Sequence, residues 1–285
     1  MATYKYVPIT DERVHLVRNE LNLGVGGATM VGFDSAMSDD SSYLVKIDGD
    51  GQMDLTYLGV FRDTLSNGCD FVKGNRFYFL DDLATMPALR LIGNAFLTLL
   101  TRISTGYWSL ADPTNGYIGV PKSIWKQLRR RKIQSRYFFE SDMIYNLSLL
   151  NADIAEIAMP ARYRGERSGL RPLCVIPSFL YRHTLNFVNR FFYVYVLRGM
   201  SPATIALPLS MVLGLGGAAF ALTVWFRAIH TGMNAPTGSI VLGALCIILA
   251  FLFLLVYFID DYGRQPSVKV IRSFDKEASD YKNVI

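Results

Sequence analysis

Two uninterrupted apolar stretches, residues 202–226 and 238–259, limit this chain more than any other feature. Each is almost free of charge and long enough to cross a hydrocarbon core, which takes about 20 helical residues. Neither shows the polar face expected of a helix half-buried in a soluble bundle. They read as a pair of transmembrane helices, and they raise the hydrophobic share of the 285 residues to 51%. Arg182, Arg190 and Arg198 precede the first stretch, and Arg264, Lys269 and Arg272 follow the second, partly offset by Asp260 and Asp261. Lysine and arginine excess marks the cytoplasmic flank. The long N-terminal portion and the tail are therefore expected on the cytoplasmic side of a cell membrane, with only the loop 227–237 facing out.

The preceding portion alternates differently. Residues 14–17 suit a short strand, 22–27 a glycine-rich turn, 28–37 a helix and 43–47 a strand. Residues 56–66 suit a helix and 71–74 a strand. Leu89, Ile92, Phe96 and Leu99 then share one face of a helix over 87–101. Turn chemistry follows at 112–116, a helix at 137–150 and a strand at 154–158. Strand–helix alternation is the mark of an α/β domain. Residues 180–197 mix Phe187, Val188, Phe191, Phe192 and Val194 with Arg182, His183, Asn186, Asn189 and Arg190 just before the first span. That mixture predicts an amphipathic helix in the membrane interface. The implied division is an α/β domain over 1–175, the interfacial helix over 176–201, the two-helix anchor over 202–260 and a cytoplasmic tail over 261–285.

Chemistry concentrates at Asp48-Gly49-Asp50-Gly51-Gln52-Met53-Asp54, at the end of the strand over 43–47. Side chains two apart on an extended strand point the same way, so Asp48, Asp50 and Gln52 offer three oxygens to one side. Hard divalent cations take such ligands, and Mg²⁺ or Mn²⁺ commonly bridges them to a diphosphate. The same residues also suit an acidic surface turn. Open α/β sheets bind ligands at their strand carboxyl ends, which favours the metal. Gly24, Gly26 and Gly27 lack the third spacing of a dinucleotide fingerprint. His15, His183 and His230 are too dispersed for a metal site, and Cys69, Cys174 and Cys246 support neither a disulfide framework nor a zinc site. A net charge of +5, with basic residues gathered at 129–132 and 162–171, suits lipid headgroups or phosphates, and no nucleic-acid module is visible.

Six runs in order resemble the inverting glycosyltransferases of family 2, specifically the membrane-bound enzymes that load a sugar onto a polyprenyl phosphate. They are Asn22-Leu23-Gly24-Val25-Gly26-Gly27-Ala28, the acidic run from Asp48 to Asp54, Lys73-Gly74-Asn75-Arg76, Asp112-Pro113-Thr114-Asn115-Gly116-Tyr117, Glu140-Ser141-Asp142 and Arg162-Tyr163-Arg164-Gly165-Glu166. The resemblance implies a GT-A-like nucleotide-diphospho-sugar transferase sheet and a nucleotide-sugar donor. It implies a cation, Mg²⁺ or Mn²⁺, on Asp48, Asp50 and Gln52. It makes Arg76, Arg90 and Asn94 the acceptor-phosphate set, Arg162 the cation for the leaving diphosphate, and Asp112 and Asp142 the acids near the sugar. An already anionic lipid phosphate needs placement more than a base; a saccharide hydroxyl acceptor would need one, with Asp142 the candidate. The Gln-x-x-Arg-Trp signature of processive synthases is absent, because Gln127-Leu128-Arg129-Arg130 lacks the Trp. Family members also open with a strand–helix–strand that cradles the nucleotide base, whereas only 13 residues precede Val14 here. The expected fold is therefore an α/β sheet lacking its first βαβ elements. Such a chain is either a transferase able to form homo-oligomers at the membrane or a catalytically silent relative acting through partner contacts.

Overall fold

The computed structural model describes residues 11–51, 53–79, 88–128, 131–160 and 172–272. Strands β2 (Phe71–Asn75) and β4 (Ile154–Ala158) are buried along their whole length. Apolar runs covered on both faces belong at the centre of a parallel sheet, and the two pair in parallel from Phe71 beside Ile154 to Asn75 beside Ala158. Strand β3 (Ile118–Pro121) runs antiparallel between β2 and β1 (Tyr43–Lys46). Strand β5 (Val268–Arg272) runs parallel to β4 at the opposite edge. The order is β1-β3-β2-β4-β5. β5 lies beyond both apolar stretches, so residues expected as free tail complete the soluble sheet instead.

Helices cover both faces. Helices α1 (Gly24–Ser35), α4 (Lys122–Leu128) and α5 (Phe139–Leu150) close one, around Phe33, Leu44, Phe71, Trp125, Phe139 and Ile154. Helix α2 (Leu58–Ser66) closes the other with Phe61, stacked on Tyr117 at 4.4 Å between ring centroids. The glycine-rich segment is not a turn before α1 but its first turns. Close approach explains its composition: a methyl at Gly26 would lie 2.5 Å from Phe139 Cβ. Gly26→Ala should therefore cost about 1–3 kcal/mol through overpacking, read as a lowered melting temperature. Residues 14–17 form no strand, and Val14, Leu16 and Val17 are exposed, because no described strand lies beside them.

Helix α3 (Ala88–Thr105) packs against α6 (Pro172–Phe191) with its polar side. Thr98, Thr101, Ser104 and Thr105 are buried, while Leu91, Ile92, Phe96 and Leu99 face outward. Helix α6 does the same. His183, Asn186 and Arg190 point inward, and Leu180, Tyr181, Leu185 and Val188 point out. Ser104 Oγ meets His183 Nδ1 at 2.8 Å across this seam, and burial pushes His183 down to about 4, so it is neutral.

A π-helical turn (Phe192–Leu197) leads to α7 (Pro202–Thr231) and α8 (Thr237–Gly263). Ser201 and Thr204 form a capping box ahead of Pro202, which starts α7 sharply. Both helices are long and apolar enough to cross a membrane, and only 22% and 11% of their most apolar windows are buried. A soluble core helix would show the reverse. Small residues let them approach: Gly217 faces Cys246, and Gly243 faces Ala221.

One buried node ties this hairpin to the sheet domain. Asp261, near the end of α8, accepts from Arg190 Nη1 at 2.7 Å, Arg190 Nη2 at 2.9 Å, Trp108 Nε1 at 2.9 Å and the Tyr195 hydroxyl. Arg190 is thus an internal ion-pair partner rather than a headgroup-facing residue of α6.

Candidate functional site

The parallel strands end on one side of the sheet, and polar residues gather there. At the end of β1, Lys46 Nζ lies 2.6 Å from Asp48 Oδ1 and 3.1 Å from the Gly116 carbonyl. A side chain at Gly116 would collide with Lys46 Nζ at 2.7 Å, so this glycine lets the loop before β3 lie against Asp48. The Asp48 side chain is 38% exposed, Asp50 is exposed, and Gly51 takes φ +71° to close the turn. Asp54 caps the next short helix by accepting from Thr56 N at 3.0 Å. Gln52 lies outside the described residues. Among the described residues no group of three or more His, Cys, Asp or Glu side chains could hold a metal. Asp48 and Asp50 nonetheless suit a cation that takes one or two carboxylates and completes its shell with phosphate oxygens.

After β2, Arg76 is held by Asp112. Its Nε lies 2.8 Å and its backbone N 3.1 Å from Oδ2, and its Nη2 lies 3.0 Å from Oδ1 and 3.1 Å from Thr114 Oγ1. Asp112 is fully buried, whereas the Arg76 side chain is 23% exposed. Burial opposes ionising Asp112, but the adjacent guanidinium outweighs it and holds the carboxyl below its usual range. Asp112 is itself anchored by its backbone N–H, 2.9 Å from Glu156 Oε1, while Ala111 N and Asn75 Nδ2 reach Glu156 Oε2 at 2.9 and 3.3 Å. Glu156 is fully buried in β4. Arg76 and Asp112 are recognisable from their runs but their pairing is not, and Glu156 carries no local signal because a lone acid in a short strand reads as a solvated residue.

The two acids of α5 part company. Asp142 accepts from Gln134 N at 3.0 Å and from Asn186 Nδ2 at 3.2 Å, bracing α5 against α6 and the preceding loop. Both its oxygens are thereby engaged away from the Arg76–Asp112 pair. Glu140, two positions earlier, is instead within electrostatic reach of Lys46, Lys73 and Asp48, and burial raises its carboxyl. Residues two apart on a helix point in nearly opposite directions, so only the helix phase separates these candidates. Arg90 and Asn94 lie on α3; nothing is described of the Arg90 side chain, and Asn94 is half-buried. Arg162 lies outside the described residues.

Residues 3–129 match the family model described as glycosyl transferase family 2. The chain is 26% identical over 152 residues to a UDP-N-acetylglucosamine–dolichyl-phosphate N-acetylglucosaminyltransferase of Methanococcus voltae, covering 53% of this chain and 60% of that protein. It is 23% identical over 160 residues to a polyprenol monophosphomannose synthase of Mycolicibacterium smegmatis, covering 56% and 59%. It is 27% identical over 169 residues to an uncharacterized protein of Methanocaldococcus jannaschii, covering 59% and 69%. The chain therefore spans about three fifths of the first two of these relatives.

Proposed function

We propose that this chain, which carries a glycosyl transferase family 2 domain over residues 3–129, moves a sugar from a nucleotide-diphosphate donor to a polyprenyl phosphate at the cytoplasmic face of a membrane, inverting the transferred carbon. The observation that carries the reading is the direction of α3. This helix bears Arg90 and Asn94, follows the Arg76 segment, and turns Leu91, Ile92, Phe96 and Leu99 outward beside the apolar side of α6. An exposed apolar surface of that kind, continuous with two span-length helices, suits a bilayer surface from which a lipid acceptor is drawn. Pairing of β5 with β4 supports the topology, since a hairpin whose two flanks share one sheet must return to the side it left.

In this reading Asp48 and Asp50, with Gln52, would hold Mg²⁺ or Mn²⁺ for the donor diphosphate. When bound, such a cation neutralises charge on the leaving nucleoside diphosphate, and Arg162 adds a second positive charge there. Arg76 and Arg90 receive the acceptor phosphate. Asp112 preorganises Arg76 for that task by fixing the guanidinium plane, so placement is paid for in the folded state rather than at binding. The lipid phosphate is already anionic near neutral pH and attacks without a strong base. A saccharide hydroxyl acceptor is the second reading. Glu140 joins Asp142 as a candidate base for it, because burial raises its carboxyl and Lys46, Lys73 and Asp48 lie within its electrostatic reach.

Acceptor profiling separates the two. Purified protein with a set of nucleotide sugars and Mn²⁺ should glycosylate undecaprenyl phosphate without any saccharide primer. A strict requirement for a saccharide acceptor would defeat the first reading, and failure to bind any nucleotide sugar would leave a silent membrane relative.

A further inference from the structure

Lys73 takes no part in the contacts described for donor or acceptor, yet it occupies the middle of the sheet. Strand register sets it beside Glu156 on β4 and Ile118 on β3, with Lys46 beyond Ile118 on β1. The apolar cluster on that face holds Phe71, Ile118 and Ile154. The lysine is fully buried, and its Nζ has no hydrogen-bond partner among the described residues. Burying an ammonium without a bond is costly, and a methionine of similar length would fill the same space without that cost. The retained charge therefore has an electrostatic use. Its cross-strand neighbour supplies one: Glu156 holds the backbone of Ala111 and Asp112, and Asp112 holds Arg76.

We infer that Lys73 is a positioning residue whose buried ammonium, set beside Glu156 by strand register, supports Glu156 as it fixes the Asp112 loop, so that Asp112 fixes Arg76 for an anionic ligand. The inference rests on the proposed role of Arg76 toward a lipid phosphate. The charged groups acting on Lys73 are Asp112 of the loop, Glu156 of β4, Glu140 of α5 and Arg76 after β2; Lys46 and Asp48 of β1 act on Glu140. Burial pushes Lys73 down to about 8 against the pull of Asp112, Glu156 and Glu140. Burial likewise raises Glu156, opposed by the Asp112 and Ala111 N–H groups and by Lys73. The sign of the linkage follows. A lysine that titrates near 8 when folded and near 10.5 when unfolded leaves the unfolded chain holding more protons between those values. Stability from this group therefore rises with pH across that window and is flat below it.

The test compares wild type with Lys73→Met and Lys73→Gln, each as the full chain in nanodiscs, by melting across the window and by titration with citronellyl phosphate. The melting temperature of wild type should climb relative to both variants above about pH 8. Near neutral pH the variants should bind citronellyl phosphate about tenfold more weakly, and only wild type should lose affinity as the lysine deprotonates. Parallel melting curves would overturn the buried charge. Diverging melting curves with equal affinities would overturn the positioning role, leaving a structural lysine. Absence of citronellyl phosphate binding by wild type would refute the acceptor reading and with it the positioning role, and the melting curves would then judge only whether the buried Lys73 is charged.

Discussion

Asp50→Ala is expected to abolish sugar transfer while the protein still inserts, folds and melts like wild type. Asp50 is exposed on the Gly49–Gly51 turn, outside both sheet cores. Removing an exposed turn carboxylate changes stability by no more than a few tenths of a kcal/mol. Removing one of two carboxylates from a cation that neutralises a leaving diphosphate costs several kcal/mol of transition-state stabilisation, roughly a thousandfold or more in rate. Chelation of divalent cations should reproduce the loss in wild type. Turnover by Asp50→Ala within a few-fold of wild type would remove the metal assignment, and with it the reason Asp48 and Asp50 follow a strand that ends on the same side of the sheet as the strand before Arg76.

The second large effect is on architecture. Asp261→Ala should destabilise the protein by about 3–5 kcal/mol, because it strands the Arg190 guanidinium in a buried site with its main partner gone. Arg190 is 5% and Asp261 1% exposed, so solvent cannot take over the lost bonds. The double replacement Arg190→Met with Asp261→Leu should recover most of the loss, since removing both charges also removes their desolvation cost. Thermal unfolding in detergent checks both. Because Trp108 also donates to Asp261, the single variant should additionally change the Trp108 environment, read as a shift in tryptophan emission against a Trp108→Phe background. An unchanged melting temperature for Asp261→Ala would show that the node does not clamp the hairpin to the domain.

Strands β1, β2 and β4 were legible because their apolar runs are bounded by turn residues, and the two span-length helices because no other composition gives such windows. Strand β3 escaped notice: four residues containing Gly119 and Pro121 carry no period of their own and are defined by Val120 and Ile118 pairing across to β1 and β2. β5 escaped for a related reason. Its Lys269 and Arg272 suit a tail, and only β4 makes them a strand. Residues 14–17 erred the other way, alternating like a strand with nothing described beside them. The periodic face of α3 was visible, but periodicity does not say whether the apolar side packs on protein or faces outward; the buried threonines show that it faces outward. At the site, residues after strands stood out by type, whereas Lys46 and Glu156 did not, and Lys73 entered only as the first residue of the run ending at Arg76. Their role arises from register across four strands, which no local window of sequence contains.

Strand β5 also bears on how the molecule is made. It emerges from the ribosome after α7 and α8, so β4 keeps one bare edge throughout synthesis of the hairpin. An unpaired strand edge is an aggregation hazard, and here it is sealed only once the segment after α8 has folded back beside β4. Were the hairpin to span a bilayer, a copy that made a single crossing would have its final strand on the wrong side and stay an open sheet. Completion of the sheet is thereby tied to the return of the chain after α8, and a copy that fails to return keeps an exposed strand edge.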